Sequence, residues 1–202
     1  MRSATDRRPA ARGDERRDAL LRSLDEHLQE SSLESIKIAD ISRSAGVTRS
    51  AFYFYFESKA TAVAALMERM YDESFAAADH LTGDGSPAEN VEGVIRGLFA
   101  AWDRHQHLYR AMLEARATNP AVREMWESDR ESFVPAVASM IEAERTAGRA
   151  PAGPAAGALA ATLLELNDRM LERLSLGGGL PREERVAVVV HIWLSSIYGS
   201  SS

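Results

Sequence analysis

The sequence contains no cysteine. Disulfides, thiolate nucleophiles, Cys-ligated zinc and iron–sulfur clusters are therefore excluded, and the composition suits a reducing cytoplasm. No uninterrupted apolar stretch approaches the roughly 20 residues of a membrane span. The N-terminal MRSATDRRPAARGDERR also lacks the apolar region of a signal peptide. A cytosolic protein without membrane contact is expected. The serine elbow, the phosphate loop and the zinc signature are missing as well, so no motif announces catalysis and no cofactor is expected. There is neither a repeat with a period of about 20 to 50 residues nor a low-complexity tract.

What is present is a 202-residue chain with 45% hydrophobic and 27% charged residues, the composition of a globular protein of one domain or two small ones sharing a core. The net charge of −6 argues at first against a polyanionic partner. Its distribution is uneven: residues 1–59 hold 11 basic and 10 acidic side chains, whereas 60–202 hold 13 and 20. The first 17 residues carry Arg2, Arg7, Arg8, Arg12, Arg16 and Arg17 against three acids. A basic arm over 1–14 could lie along phosphates, or be a disordered tail.

Helical periodicity dominates the rest, and an all-α fold of about nine helices is expected. Leu20, Leu21, Leu24 and Leu28 share one face of a first helix over about 15–29. Ile38, Ile41 and Ala45 mark a short helix that Gly46 ends. The aromatic run TRSAFYFYF follows, and a longer helix opens at Glu57-Ser58-Lys59. LTGDGSPAEN reads as a loop between Leu81 and Ala88. Asn119-Pro120 stops one helix and starts another, expected to run to about Ala147 with a kink at Pro135. Gly177-Gly178-Gly179 separates the last two helices. The final one has no charged residue between Val186 and Gly199, so it needs cover on nearly every side, most readily from a second subunit.

Function concentrates between Ile36 and Lys59, where two short helices and a glycine turn make a helix-turn-helix. Ile38, Ile41, Ala45, Val47 and Phe52 can close its small core. Thr48, Arg49, Ser50, Tyr53 and Tyr55 are then left for solvent or DNA. Arg49 can donate two parallel hydrogen bonds to a guanine edge. Tyr53, four residues on, projects from nearly the same face, towards a phosphate or a thymine methyl. Thr48 and Ser50 suit phosphate oxygens at a helix start, Thr48 also serving as an N-cap. Lys59 is a phosphate clamp without sequence preference. FYFYF alone would be core; its fixed spacing from the glycine turn and Lys59 makes it part of a DNA-reading unit.

These residues, Ile41, Ala45-Gly46-Val47, Phe52-Tyr53, Tyr55-Phe56 and Lys59, resemble the tetracycline-repressor (TetR) family of bacterial regulators. Lys37 departs from the Ser or Thr usual at that helix start, leaving it frayed or capped by Ser35. A narrower resemblance, to one branch of the family, is carried by FYFYF with Ser-Lys, EARAT at 114–118, Asn167-Asp168-Arg169 and HIWLSSIYG. The resemblance implies a DNA-binding domain over 15–60 and an effector-binding and dimerisation domain over 61–202. It also implies a homodimer through the last two helices on a palindromic operator in double-stranded DNA, with Lys37 among the DNA contacts.

The aromatic-rich set Phe99, Trp102, Met112, Trp126, Phe133, Asn167 and Trp193 suits a pocket for an apolar small-molecule effector. The resemblance makes Asn167 the ligand's hydrogen-bonding residue and puts Leu164 at a second position that is polar in the branch. An inducing ligand and a repressor are the expectation. An enzyme using Glu or His as a general base, or an interaction protein keeping the helix-turn-helix as scaffold, are the other readings. His105 and His107 stand about 200° apart on a helix, poorly placed for one metal; His191 reads as core or interface, and Glu142 and Glu144 as a solvated run.

Overall fold

A computed structural model of the chain describes residues 12–78, 86–177 and 180–199. Among them are ten helices and no strand. The helix-turn-helix region comprises α1 (Arg12–Glu30), α2 (Ile38–Ser44) and α3 (Arg49–Tyr55), and α4 (Lys59–Ala78) leads out of it. The larger part is built from α5 (Pro87–Arg104), α6 (Gln106–Thr118), α7 (Pro120–Ser132), α8 (Val134–Thr146), α9 (Ala156–Ser175) and α10 (Arg182–Tyr198). Most of the basic arm, most of the 81–88 loop, and Gly178 and Gly179 lie outside the described residues. The helix expected from Pro120 to Ala147 is two, α7 and α8, because the chain breaks at Phe133 ahead of Pro135.

Each short helix has a local reason to start and stop. The Thr48 side chain accepts the Ala51 N–H at 3.2 Å and caps α3, while Gly46 leaves α2 at φ +68°, where a side chain would strain the backbone. Lys37 begins α2 without a side-chain cap, and the Ser35 hydroxyl is turned to Ser32, donating to its carbonyl and accepting from its hydroxyl. Ser86 and Glu89 form a reciprocal capping box on α5, and Asn119 caps α7.

Leu20, Leu21, Leu24, Ile41 and Phe52 are buried together, and Ser23 fastens α1 to α2 by donating to Ile41 O at 3.0 Å. Ile38, Ala45 and Val47 pack around them half-buried. The apolar stripe of α4 (Val63, Met67, Met70) meets α6, which also touches α1. Thus α6 underlies the three-helix unit from the other part of the molecule. Further on, α8 packs on α9, and α10 on α5 and α9. One face of α10 is buried through Val186, Val189, Val190, Trp193 and Ile197. The opposite face, with Ala187, Val188 and His191, is exposed on the single chain. No helix among the described residues is long and apolar enough to cross a membrane.

Candidate functional site

The exposed side of α3 gathers most of the residues expected at DNA. Arg49 and Ser50 are exposed, and Tyr53 is 47% exposed. The Arg49 guanidinium lies 5.6 Å from the Tyr53 ring centroid and donates to Tyr53 Oη at 3.3 Å, so the two side chains extend together from one column of the helix. Arg49 has no carboxylate partner among the described residues. Lys37 is exposed on α2, near the Asp40–Arg43 ion pair. Tyr55 is turned differently from expectation: half-buried, it packs against the core beside Phe56 because its position falls on the inner side of α3.

Lys59 is the larger correction. Its ammonium donates to the carbonyls of Leu33, Glu34 and Ile36 at 2.5 to 3.1 Å, which uses all three N–H groups inside the chain. Burial holds its pKa below the usual lysine value, against the opposing influence of the Glu114 and Glu34 carboxylates. In place of a phosphate clamp, Lys59 ties the α1–α2 connection to the start of α4. The same connection reaches α6, where Glu114 Oε2 accepts the Glu34 N–H at 3.1 Å. Nearby, His107 Nε2 lies 2.8 Å from Asp25 Oδ1, a link between α6 and α1.

In the larger part, Phe99, Trp102, Met112, Asn167 and Trp193 are buried in the core. Asn167 Oδ1 accepts the Trp193 indole N–H at 2.9 Å, and the Trp102 indole donates to Ser175 Oγ at 2.9 Å. Leu164 is half-buried against the same core. Two residues of the expected lining lie elsewhere. Phe133 is 41% exposed at the α7–α8 break. Trp126 is half-buried in an outer cleft with Arg116, Arg123, Arg130, Asp168 and Glu172; its indole N–H lies 3.2 Å from both Asp168 carboxylate oxygens, beneath the Arg116 guanidinium. Glu144 is also not solvated: it is buried and receives Nε and Nη2 of Arg149 at 3.0 and 2.6 Å.

Two family profiles account for both parts of this architecture. "Bacterial regulatory proteins, tetR family" matches residues 20–66, and "Transcriptional regulator EthR, C-terminal domain" matches 91–199. The chain belongs to the TetR family. Within that family it is 31% identical over 194 residues to the HTH-type transcriptional regulator EthR of Mycobacterium tuberculosis, covering 94% of this chain and 90% of that protein. It is 32% identical over 193 residues to EthR of Mycolicibacterium smegmatis, covering 93% and 88%. Solved structures share the fold at lower identity. FadR from Bacillus subtilis in complex with stearoyl-CoA is 15% identical, with a TM-score of 0.70 and coverage of 91% of this chain and 99% of that one. A transcriptional regulator from Saccharomonospora viridis in complex with choline is 16% identical, with a TM-score of 0.68 and coverage of 89% and 95%.

This TetR-family chain is therefore a helix-turn-helix transcriptional regulator and not an enzyme. Its recognition helix carries one prominent residue that the sequence did not single out: Phe54 is 80% exposed, next to Tyr53 and four residues beyond Ser50. Inside an aromatic run nothing distinguishes it by type. Its position does, since Phe52 and Phe56 fill the inner face and leave Phe54 on the outer one.

Proposed function

We propose that this regulator is a homodimeric repressor that binds a palindromic operator and is released from it by an apolar small molecule. The observation that carries the reading is the outer face of α3, where Arg49, Ser50, Tyr53 and Phe54 stand exposed on a sealed three-helix unit. Arg49 reads a guanine edge, Tyr53 reaches a phosphate or a thymine methyl, Thr48 and Ser50 meet phosphates, and Phe54 presses on a thymine methyl. Lys37 adds a phosphate contact from α2. Residues 15–60 form the DNA-binding domain, 61–202 the effector and dimerisation domain, and 1–14 an arm that follows the DNA backbone. The setting is the cytoplasm.

The uncovered face of α10, with Ala187, Val188 and His191, supports pairing through α9 and α10. Two recognition helices then meet half-sites about 34 Å apart, one turn of DNA. Phe99, Trp102, Met112, Leu164, Asn167 and Trp193 hold the effector, with the Asn167 amide as hydrogen-bonding group. Met112 shares α6 with His107 and Glu114, which hold the three-helix unit through Asp25 and the Glu34 N–H. A ligand that displaces α6 favours a state in which the recognition helices are wrongly spaced. FadR in complex with stearoyl-CoA and the choline-bound regulator, which share this fold, support a small-molecule ligand.

The test is selection of duplexes from a random DNA pool by the purified full-length protein. Enrichment of an inverted repeat with half-sites one turn apart is expected, and retained duplex should be released by apolar ligands. Enrichment of no sequence at low salt, with folded protein confirmed, would overturn the reading.

A further inference from the structure

Arg185 is 5% exposed, and no carboxylate among the described residues pairs with it. Its Nη1 approaches Met170 Sδ at 3.7 Å, and its buried Nε has no hydrogen-bond partner. The acids on the surrounding helices are turned elsewhere. On α5, Glu92 pairs with Arg96, and Asp103 with Arg182. On α9, Asp168 and Glu172 face Arg116 on the other side of the helix, and Glu165 is exposed. On α10 itself, Glu183 pairs with Arg182 and Glu184 is exposed. Among the described residues, none of these carboxylates reaches Arg185.

An unpaired buried cation is among the more expensive arrangements a fold can contain. Arg185 is the fourth residue of α10, and its own N–H is bonded to Pro181 O at 3.1 Å, so the site rests on the side chain and not on the helix start. The buried cation makes the spot favourable for an anion. The guanidinium supplies a planar set of donors matched to a carboxylate or phosphate. A carboxylate from a second subunit is a poor candidate for the counterion, since only 5% of the residue is exposed.

The location joins this group to the effector site. Met170, which the guanidinium touches, lies one helical turn from Asn167 along α9; Trp193, which holds Asn167, shares with Arg185 the buried face of α10. Eight residues separate Arg185 from Trp193, about 12 Å of helix. An elongated molecule seated between α9 and α10 can meet the Asn167 amide at one point and the guanidinium at another.

We propose that Arg185 is the anion-binding residue of the effector site, and that the effector is an apolar molecule with a single anionic end, a carboxylate being the simplest. This rests on the effector reading above and specifies its ligand class. The probes are dodecanoate and its methyl ester, which share the apolar chain and differ in charge. Binding to the full-length protein is followed by tryptophan fluorescence, and release of a selected DNA duplex is followed in parallel.

Wild type is expected to bind dodecanoate about ten- to a hundredfold more tightly than the ester, and Arg185→Met to lose that preference while still binding the ester. Ligand-free Arg185→Met should melt higher than wild type, because an uncompensated buried charge has been replaced by an apolar side chain. A wild type that binds and responds to the ester as strongly as to the acid would overturn the anionic end while leaving the effector reading intact. So would an Arg185→Met protein that keeps the preference for the acid. Lower melting of that variant would show that Arg185 is already satisfied within the fold, and would likewise overturn the proposal. Failure of both probes to bind would overturn it too; the effector reading itself falls only if no apolar ligand releases the DNA.

Discussion

The three-helix unit and the α9–α10 pair conceal opposite things. In the first, α1, α2 and α3 close over Leu21, Leu24, Ile41 and Phe52 and turn an arginine, a serine and two aromatic rings outward. In the second, the exposed face of α10 carries Ala187 and Val188, and polar groups lie within: Asn167 and Ser175 on α9, Arg185 on α10. Arg49 and Arg185 make the contrast sharpest, for neither has a carboxylate partner among the described residues. One is exposed to water, where the proposed function sets DNA against it; the other is buried, where the proposed effector brings its anion. A surface that reads a polyanion can wait in water at little cost, while an interior that binds a small molecule must keep its polar groups satisfied or poised.

The largest expected effect tests the sealing of the first region. Phe52→Ala should lower stability by about 3–5 kcal/mol, measured by urea denaturation, and abolish DNA retention with it; a loss below about 1 kcal/mol would mean that the three-helix core does not rest on this ring. Arg49→Ala should leave stability unchanged and weaken discrimination at one base pair by about 1–3 kcal/mol, visible as a degenerate position in the selected sites. Lys59→Met should destabilise the chain by about 1–3 kcal/mol by leaving carbonyls of the α1–α2 connection unpaired. Because Lys59 faces carbonyls, the salt dependence of DNA binding should not change, whereas loss of a phosphate contact would reduce its slope by about 1.

Smaller effects sharpen the comparison. Replacing one thymine of the selected operator by deoxyuridine, which lacks the methyl group, should weaken wild-type binding by about 0.8 kcal/mol and leave Phe54→Ala indifferent. Equal penalties for both proteins would remove Phe54 from base reading. On α8, beside the second region, the Arg149 hydrogen bonds hold the Glu144 carboxyl below its ordinary value of 4.5, with burial opposing and the Arg149 charge and Tyr198 hydroxyl assisting. The stabilisation is complete above about pH 4.5 and is lost as the pH falls through the folded-state value. Glu144→Gln should therefore flatten the acid side of a stability–pH curve, and an unchanged curve would show that the pair contributes nothing.

Much of the fold was legible because apolar spacing is local: Leu20 through Leu28, Ile38 with Ile41, and Val63 with Met67 declare their buried faces within one or two turns. The helix starts at Thr48 and Asn119 were legible for the same reason, each cap lying three residues from the N–H it receives. Contacts that join distant segments were not. Nothing near Lys59 in sequence reveals that carbonyls of residues 33, 34 and 36 would surround it, and Asp25 and His107 meet across 82 positions. Phe133 and Trp126 were expected in the pocket on residue type alone; the break before Pro135 and the Asp168 carboxylate decided their placement. Glu144 seemed solvated because its neighbours are charged, although the chain returns five residues later to bring Arg149 against it.

The enclosure of Lys59 has a practical consequence. Lys37 and Lys59 are the only lysines in the sequence. With Lys59 occupied by three carbonyls and Lys37 exposed at the start of α2, an amine-reactive label should find one side chain besides the amino terminus. The protein thus carries a single chemical reporter on the edge of its recognition unit, whose protection by a duplex can be read without introducing any label by mutation.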